Sequence, residues 1–228
     1  MDRSIVYPGE LPRSTDVLFP QVSSMIAIGK LASAIMGNGP WVHGFACTPT
    51  TPQSLTVTVG EGEIFSQVPV DASPYGSLPA NPVLIVKQGF LFNPQSISLT
   101  PPASTGQSIN YVIAAQYVEQ DTNAQVLPYY NASNPQQGFY GPNNNGASQP
   151  TQRLCVAQLN VISGGAAPTG SQTTPVVTAG VGMWVVTVAY GQTQIGAANI
   201  SVYPGAPFYN GPTTSSSSSN ILLPLLLA

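Results

Sequence analysis

Apolar and polar positions alternate most cleanly between Ser108 and Val118. Ile109, Tyr111, Ile113, Ala115 and Tyr117 fall in one phase, and Asn110, Val112, Ala114, Gln116 and Val118 in the other. A period of two carried by β-branched and aromatic residues predicts a strand inside a sheet. Glu119 to Asn123 then supply turn-forming polar residues, and Ala124 to Leu127 can return as a second strand. Leu154 to Val161 and Gly182 to Tyr190 have the same apolar character and fit as neighbours of the first strand. Three such strands suffice to bury one face of a sheet, which a lone hairpin does not.

The same period recurs elsewhere. Ser54 to Val59 alternates, Gly60, Glu61 and Gly62 read as a hairpin turn, and Glu63 to Phe65 as its return. Val83 to Phe92 reads as a strand, Ile97 and Leu99 mark a short one, and Gln194 to Val202 a last one. A helical period appears only near the N-terminus. Pro20 stands where a first helical position would be, and a helix is expected from about Gln21 to Met36, stopped by Gly37, Asn38 and Gly39. Its apolar residues form two stripes: Val22, Met25, Ile26, Gly29, Ala32 and Met36, and Ile28, Leu31 and Ile35. Apolar residues on two sides imply burial on two sides. One face then covers the sheet, and the other either meets the same helix of a sister subunit or packs within its own domain.

These elements predict a mainly β chain: an antiparallel β-sandwich of about eight to ten short strands with one N-terminal α-helix and extended N- and C-terminal arms. The organisation expected is an arm and helix over 1–40, a β domain over 41–205 with a long loop at 129–152, and a tether and apolar segment over 206–228.

Composition narrows the function. Charged residues make up 6% of the 228 residues, against roughly a quarter in a typical soluble domain. Five basic residues and a net charge of −3 cannot supply the cationic patch that phosphates require, so nucleic acid is excluded as a partner. A surface of neutral amides and hydroxyls offers little repulsion between copies and suits a component of an assembly. No run reaches the ~18 consecutive apolar residues of a membrane span, and the first residues show no signal-peptide pattern, so no membrane role is expected.

The ends carry the expected contacts. Five consecutive serines within Pro212–Asn220 lead into ILLPLLLA, Ile221 to Ala228, which has no polar side chain. Such a segment, held on a tether, is expected to dock in a groove of another subunit or another protein, the alternative being that it folds back on its own domain. The interface residues predicted are therefore Val22, Met25, Ile28, Leu31 and Ile35 on the helix, with Ile221, Leu222, Leu223, Leu225, Leu226 and Leu227 beyond the tether. Loop 129–152 is uncharged, and its Tyr129, Tyr130, Phe139 and Tyr140 either anchor it or, with its amides, contact a host glycan.

Catalytic chemistry is sparsely provided. His43 and Cys47, in WVHGFAC, lack an orienting third group, and an apolar core corner is the plainer reading. Cys155 alternates in phase with Ala157 and Leu159, as a buried free thiol would. Glu61 with Glu63 and Glu119 with Asp121 read as exposed turn charges. Neither a phosphate-binding glycine loop nor the GxSxG or HExxH motif is present. The expectation is no enzyme, no catalytic residues, no cofactor and no metal site.

Several stretches carry a family resemblance: MDRSIVYPGELP, ACTPTTPQSLTVTVGEGEI, YGSLPA, IVKQG, GQSINYVIAAQYVEQDTNAQVLPYYNASNP and VAYGQTQIGAANISVYPGAPF. Together they resemble structural proteins of tailed bacteriophages of the tail-fibre and baseplate type. The resemblance runs through most of the chain and is weakest beyond Phe208. It implies a non-enzymatic virion protein, made in the host cytoplasm, forming a homotrimer and contacting other virion proteins of the tail, baseplate or fibre. A receptor-binding module and a neck or capsid decoration protein are the alternatives.

Overall fold

The computed structural model describes residues 2–209. Among the described residues the fold is mainly β, with one long helix, α1 (Ser14–Met36). Thirteen strands follow: β1 (Trp41–Gly44), β2 (Cys47–Pro49), β3 (Thr56–Val59), β4 (Gly62–Asp71), β5 (Asn81–Leu91), β6 (Gln95–Ser98), β7 (Gln107–Thr122), β8 (Pro128–Tyr129), β9 (Phe139–Tyr140), β10 (Gln152–Ser163), β11 (Ala167–Pro168), β12 (Val181–Ala189) and β13 (Ile200–Val202).

The main sheet runs β1-β4-β5-β10-β7-β12-β13, with β11 on β7, and β7 lies central as its alternation predicts. Its neighbours are β10 and β12, the two segments chosen from their apolar character. Tyr111 to Ala115 are buried on both faces of the sheet. The predicted turn at Glu119 to Asn123 falls later. β7 continues to Thr122, paired with Gln152, and the chain turns at Asn123, whose φ is +54°. The return strand is β10; Ala124 to Leu127 form no strand. Glu119 and Asp121 stay in the ladder because each finds a cation there, as described below.

The sheet is mixed. β5 and β10 run parallel, and their ladder is confined to Val156 opposite Phe90. This single pairing joins two antiparallel ribbons, β1-β4-β5 and β10-β7-β12-β13. A separate three-stranded sheet, β2-β3-β6, contributes Val57, Val59 and Ile97, with Leu99 just past β6, to the core shared with Ile64, Ile113, Ala157 and Val186 of the main sheet. The predicted 54–65 hairpin is therefore absent: β3 and β4 belong to different sheets. Both strands have apolar residues to bury, so the chain crosses between layers instead of folding back. A side chain at Gly62 would meet the Phe45 ring at 2.5 Å, which is why the crossing needs glycine.

The main sheet curls until its far edges approach. Residues 207–209 lie along β1, with Val42 N donating to Pro207 O at 3.0 Å and Tyr209 N to Val42 O at 2.7 Å. Trp184 Nε1 of β12 donates to Phe45 O at 2.7 Å, and its ring lies 5.4 Å from that of Phe208.

Helix α1 starts about two turns before Gln21. Arg13 N donates to Asp16 Oδ2 at 2.8 Å, capping a start that the proline rule misses, and Pro20 lies inside the helix. Gly37, with φ +81°, ends it as expected. The helix covers β5 where the ladder to β10 opens. A Cβ on Gly29 would stand 2.7 Å from Val86 O, and Lys30 Nζ donates to Leu84 O at 3.0 Å. Both contacts are to backbone carbonyls of β5.

Candidate functional site

The seam between the two ribbons gathers most of the domain's charge. Asp71 and Lys87 come from the β4–β5 ribbon; Glu119, Asp121 and Arg153 come from β7 and β10. Arg153 grips Asp121 with two bonds, Nε to Oδ1 at 2.6 Å and Nη2 to Oδ2 at 2.9 Å. Its Nη1 reaches Asp71 Oδ1 at 3.1 Å across the seam, and further bonds go to Ser73 Oγ and Pro74 O. The guanidinium also lies 5.4 Å from the centre of the Tyr75 ring, within cation–π range. Lys87, nearly fully buried, donates to Glu119 Oε1 and Val70 O.

This network holds the helix. Tyr75 OH donates to Gln21 Oε1 at 3.2 Å, and Ser14 Oγ lies 2.6 Å from Ser77 Oγ. Arg153 thus fixes loop 72–80, and the loop fixes the N-terminal half of α1. Hydrogen bonding from Arg153 holds the Asp121 carboxyl below its usual range, and the same contact raises Arg153. Asp71 moves the other way: burial raises it, opposed by Lys87 and Arg153. Beside the cluster, the Tyr117 hydroxyl lies 3.0 Å from Glu119 Oε1 and 3.1 Å from Cys155 Sγ. Burial is the main cause that raises this phenol.

The arrangement is that of a staple, with each charge turned to a partner inside the fold. Asp121 is exposed, as expected of it, but Glu119 is half-buried, both lie in β7 instead of a turn, and nothing in the expectation joined them into a cluster. A signal existed in Lys87, a lone cation in the apolar run VLIVKQGF.

A groove of about 370 Å³ runs between α1 and β5, lined chiefly by Met25, Ile28, Ala32, Phe65, Val86 and Cys155. Of the predicted helix contacts, Val22 and Met25 are half-buried and line cavities under the helix. Ile28, Leu31 and Ile35 face outward, 66%, 61% and 66% exposed. The arm before the helix adds exposed Ile5, Val6, Tyr7 and Leu11. Ile221, Leu222, Leu223, Leu225, Leu226 and Leu227 lie outside the described residues.

By length and mean hydropathy α1 is apolar enough to cross a membrane. Lys30, Ser14 and Gln21 are nevertheless bonded to the β domain, and Gly29 is pressed on β5.

The long loop folds as a unit of its own. β8 and β9 pair with each other alone, Tyr129 opposite Phe139. Asn131 Oδ1 accepts from Ser133 N at 3.0 Å, Asn144 Oδ1 from Tyr140 N at 3.0 Å and Asn145 Oδ1 from Ala147 N at 2.9 Å. All four aromatic side chains are exposed, Tyr130 and Tyr140 most (77% and 65%).

His43 and Cys47 fall in different sheets. His43 is exposed, not in a core corner, while Cys47 is half-buried in the small sheet, its thiol pushed up to about 11 by burial. Both cysteines are free. Among the described residues, no group of three His, Cys, Asp or Glu side chains is placed to hold a metal ion. Comparison with protein-family models, with curated proteins and with solved structures finds no match to this chain.

Proposed function

We propose that this chain is a non-enzymatic structural protein of a tailed-bacteriophage particle, in its tail, baseplate or fibre region. It assembles as a homotrimer and grips neighbouring virion proteins through apolar contacts, with no nucleic acid, membrane or cofactor involved. The observation that carries this reading is the run of large apolar side chains left in water between Ile5 and Ile35. In a chain with 6% charged residues, little electrostatic repulsion keeps such surfaces apart. Ile28, Leu31 and Ile35 recur at intervals of three and four, the spacing a helical bundle about a symmetry axis uses. With its two β layers sharing one core, we read the domain as a β-sandwich.

Sedimentation of the full chain tests this. A trimer is expected for the native protein, and a monomer that no longer enters particles for Ile28→Asp combined with Leu31→Asp. A native monomer, or a trimer unmoved by both changes, overturns the assembly.

A second reading has one observation in its favour. Tyr130 and Tyr140 face solvent, while the Tyr129 hydroxyl donates to Gln149 Oε1 at the base of the same loop. Aromatic faces of this kind can stack on sugar rings. Against a glycan role, the oxygens of Asn131, Asn144 and Asn145 are committed to the loop's own backbone. Binding on a glycan array that Tyr130→Ala and Tyr140→Ala abolish would favour the receptor role.

A further inference from the structure

We propose that the segment Ile221–Leu227 seats in the groove between α1 and β5 of its own molecule. The groove is apolar at Met25, Ile28, Ala32, Phe65, Val86 and Cys155, and Lys87, the cation in its lining, is already held by Glu119 and Val70 O. At about 370 Å³ it has room for several aliphatic side chains, within the size range of small-ligand sites. ILLPLLLA presents such side chains and no charged side chain.

The path of the chain selects this occupant. Tyr209, the last described residue, packs edge-on against Trp41 at 6.2 Å between ring centroids. Trp41 is the ladder partner of Phe65, which lines the groove. Residues 207–209 lie beside β1 and β1 lies beside β4, so the point of departure is about two strand spacings, roughly 10 Å, from Phe65 in the groove wall. Residues 210–220 number eleven, a length that reaches up to roughly 36–40 Å when extended. The groove follows α1 from Gln21 to Ala32, which is roughly 16 Å at the helical rise. Every part of it lies within reach, and a linker this short holds the segment at about millimolar effective concentration. That favours its own groove over a sister's. The Trp41 indole N–H, buried without an acceptor among the described residues, marks the same corner.

The inference stands independently of the virion reading and is tested at monomer mass. In the full chain carrying Leu223→Cys, mild oxidation should link the new thiol to Cys155 within one molecule, identified by the joined peptides. Absence of that link, or a link found only between molecules, overturns the proposal. In otherwise native protein, deleting 221–228 should speed maleimide alkylation of Cys155 by about tenfold or more, as expected when a local cover is removed. Cys47 serves as the internal reference, with an unchanged rate. Equal Cys155 rates with and without the segment also overturn the proposal.

Discussion

Beneath α1, five charged side chains from four separate stretches of chain meet. In the loop between β7 and β10, from Asn123 to Thr151, there is no charge at all. Both regions are polar, yet their bonds span very different sequence distances. Arg153 bonds residues 32 and 82 positions away, whereas Asn144 and Asn145 bond within four and Asn131 within six. The seam has to hold together two ribbons that share a single ladder pairing, and long-range ion pairs tie the ribbons where backbone bonds do not. The loop has only to hold its own shape, and short amide caps do most of that, with Tyr129 OH to Gln149 Oε1 and Thr151 Oγ1 to Asn123 O closing its base. A chain with so little charge has concentrated it where the fold would otherwise part.

The largest effect should follow from breaking the seam. Arg153→Met keeps much of the side-chain volume but leaves Asp71, nearly fully buried, without a cation on one side. Removing one partner of a buried pair typically costs about 3–5 kcal/mol. Urea unfolding should show a loss of that order, and amide exchange should show the first turns of α1 opening before the β7 core. A loss under about 1 kcal/mol would mean the ribbons are held by packing alone.

Acid should separate the two aspartates of the same staple. Asp121 is held below its usual range, so its contribution is present above about pH 4 and is lost as pH falls toward its lowered value. Asp71 is raised, so its contribution is fully present below about pH 4 and is lost as pH rises through its raised value. The stability gap between native protein and Asp121→Asn should therefore narrow from pH 7 to pH 3. The gap to Asp71→Asn should move in the opposite direction. Gaps that move together would show that the two carboxylates do not titrate in the opposing environments seen at the seam.

How much of this was legible in the sequence follows from the range of each interaction. The alternation of Ile109 to Tyr117 records a local fact, which face each residue turns to, and it located β7 and its two neighbours. The helix was visible for the same reason, although Pro20 hid its first two turns. Pairing partners are not local. SLTVTV and GEIF look like a hairpin because both alternate around glycines, and only the packed layers show that they part. Ion pairs are less visible still, since Asp71, Lys87, Glu119, Asp121 and Arg153 are scattered over 82 positions.

The smallest effect, and the sharpest check on the contrast, belongs to the loop. Asn144→Ala removes the acceptor for Tyr140 N, an exposed bond made four residues away. Its loss should cost at most about 0.5–1.5 kcal/mol, and much of that should not register in global unfolding, because β8 and β9 pair only with each other. The change should appear instead as faster proteolysis within 129–150, with the unfolding midpoint unmoved. The aromatic surface would then disperse while the seam stayed closed. If Asn144→Ala lowered the midpoint as much as Arg153→Met, the loop would be coupled to the core through more than the two strands it connects, and the division of labour drawn here would fail.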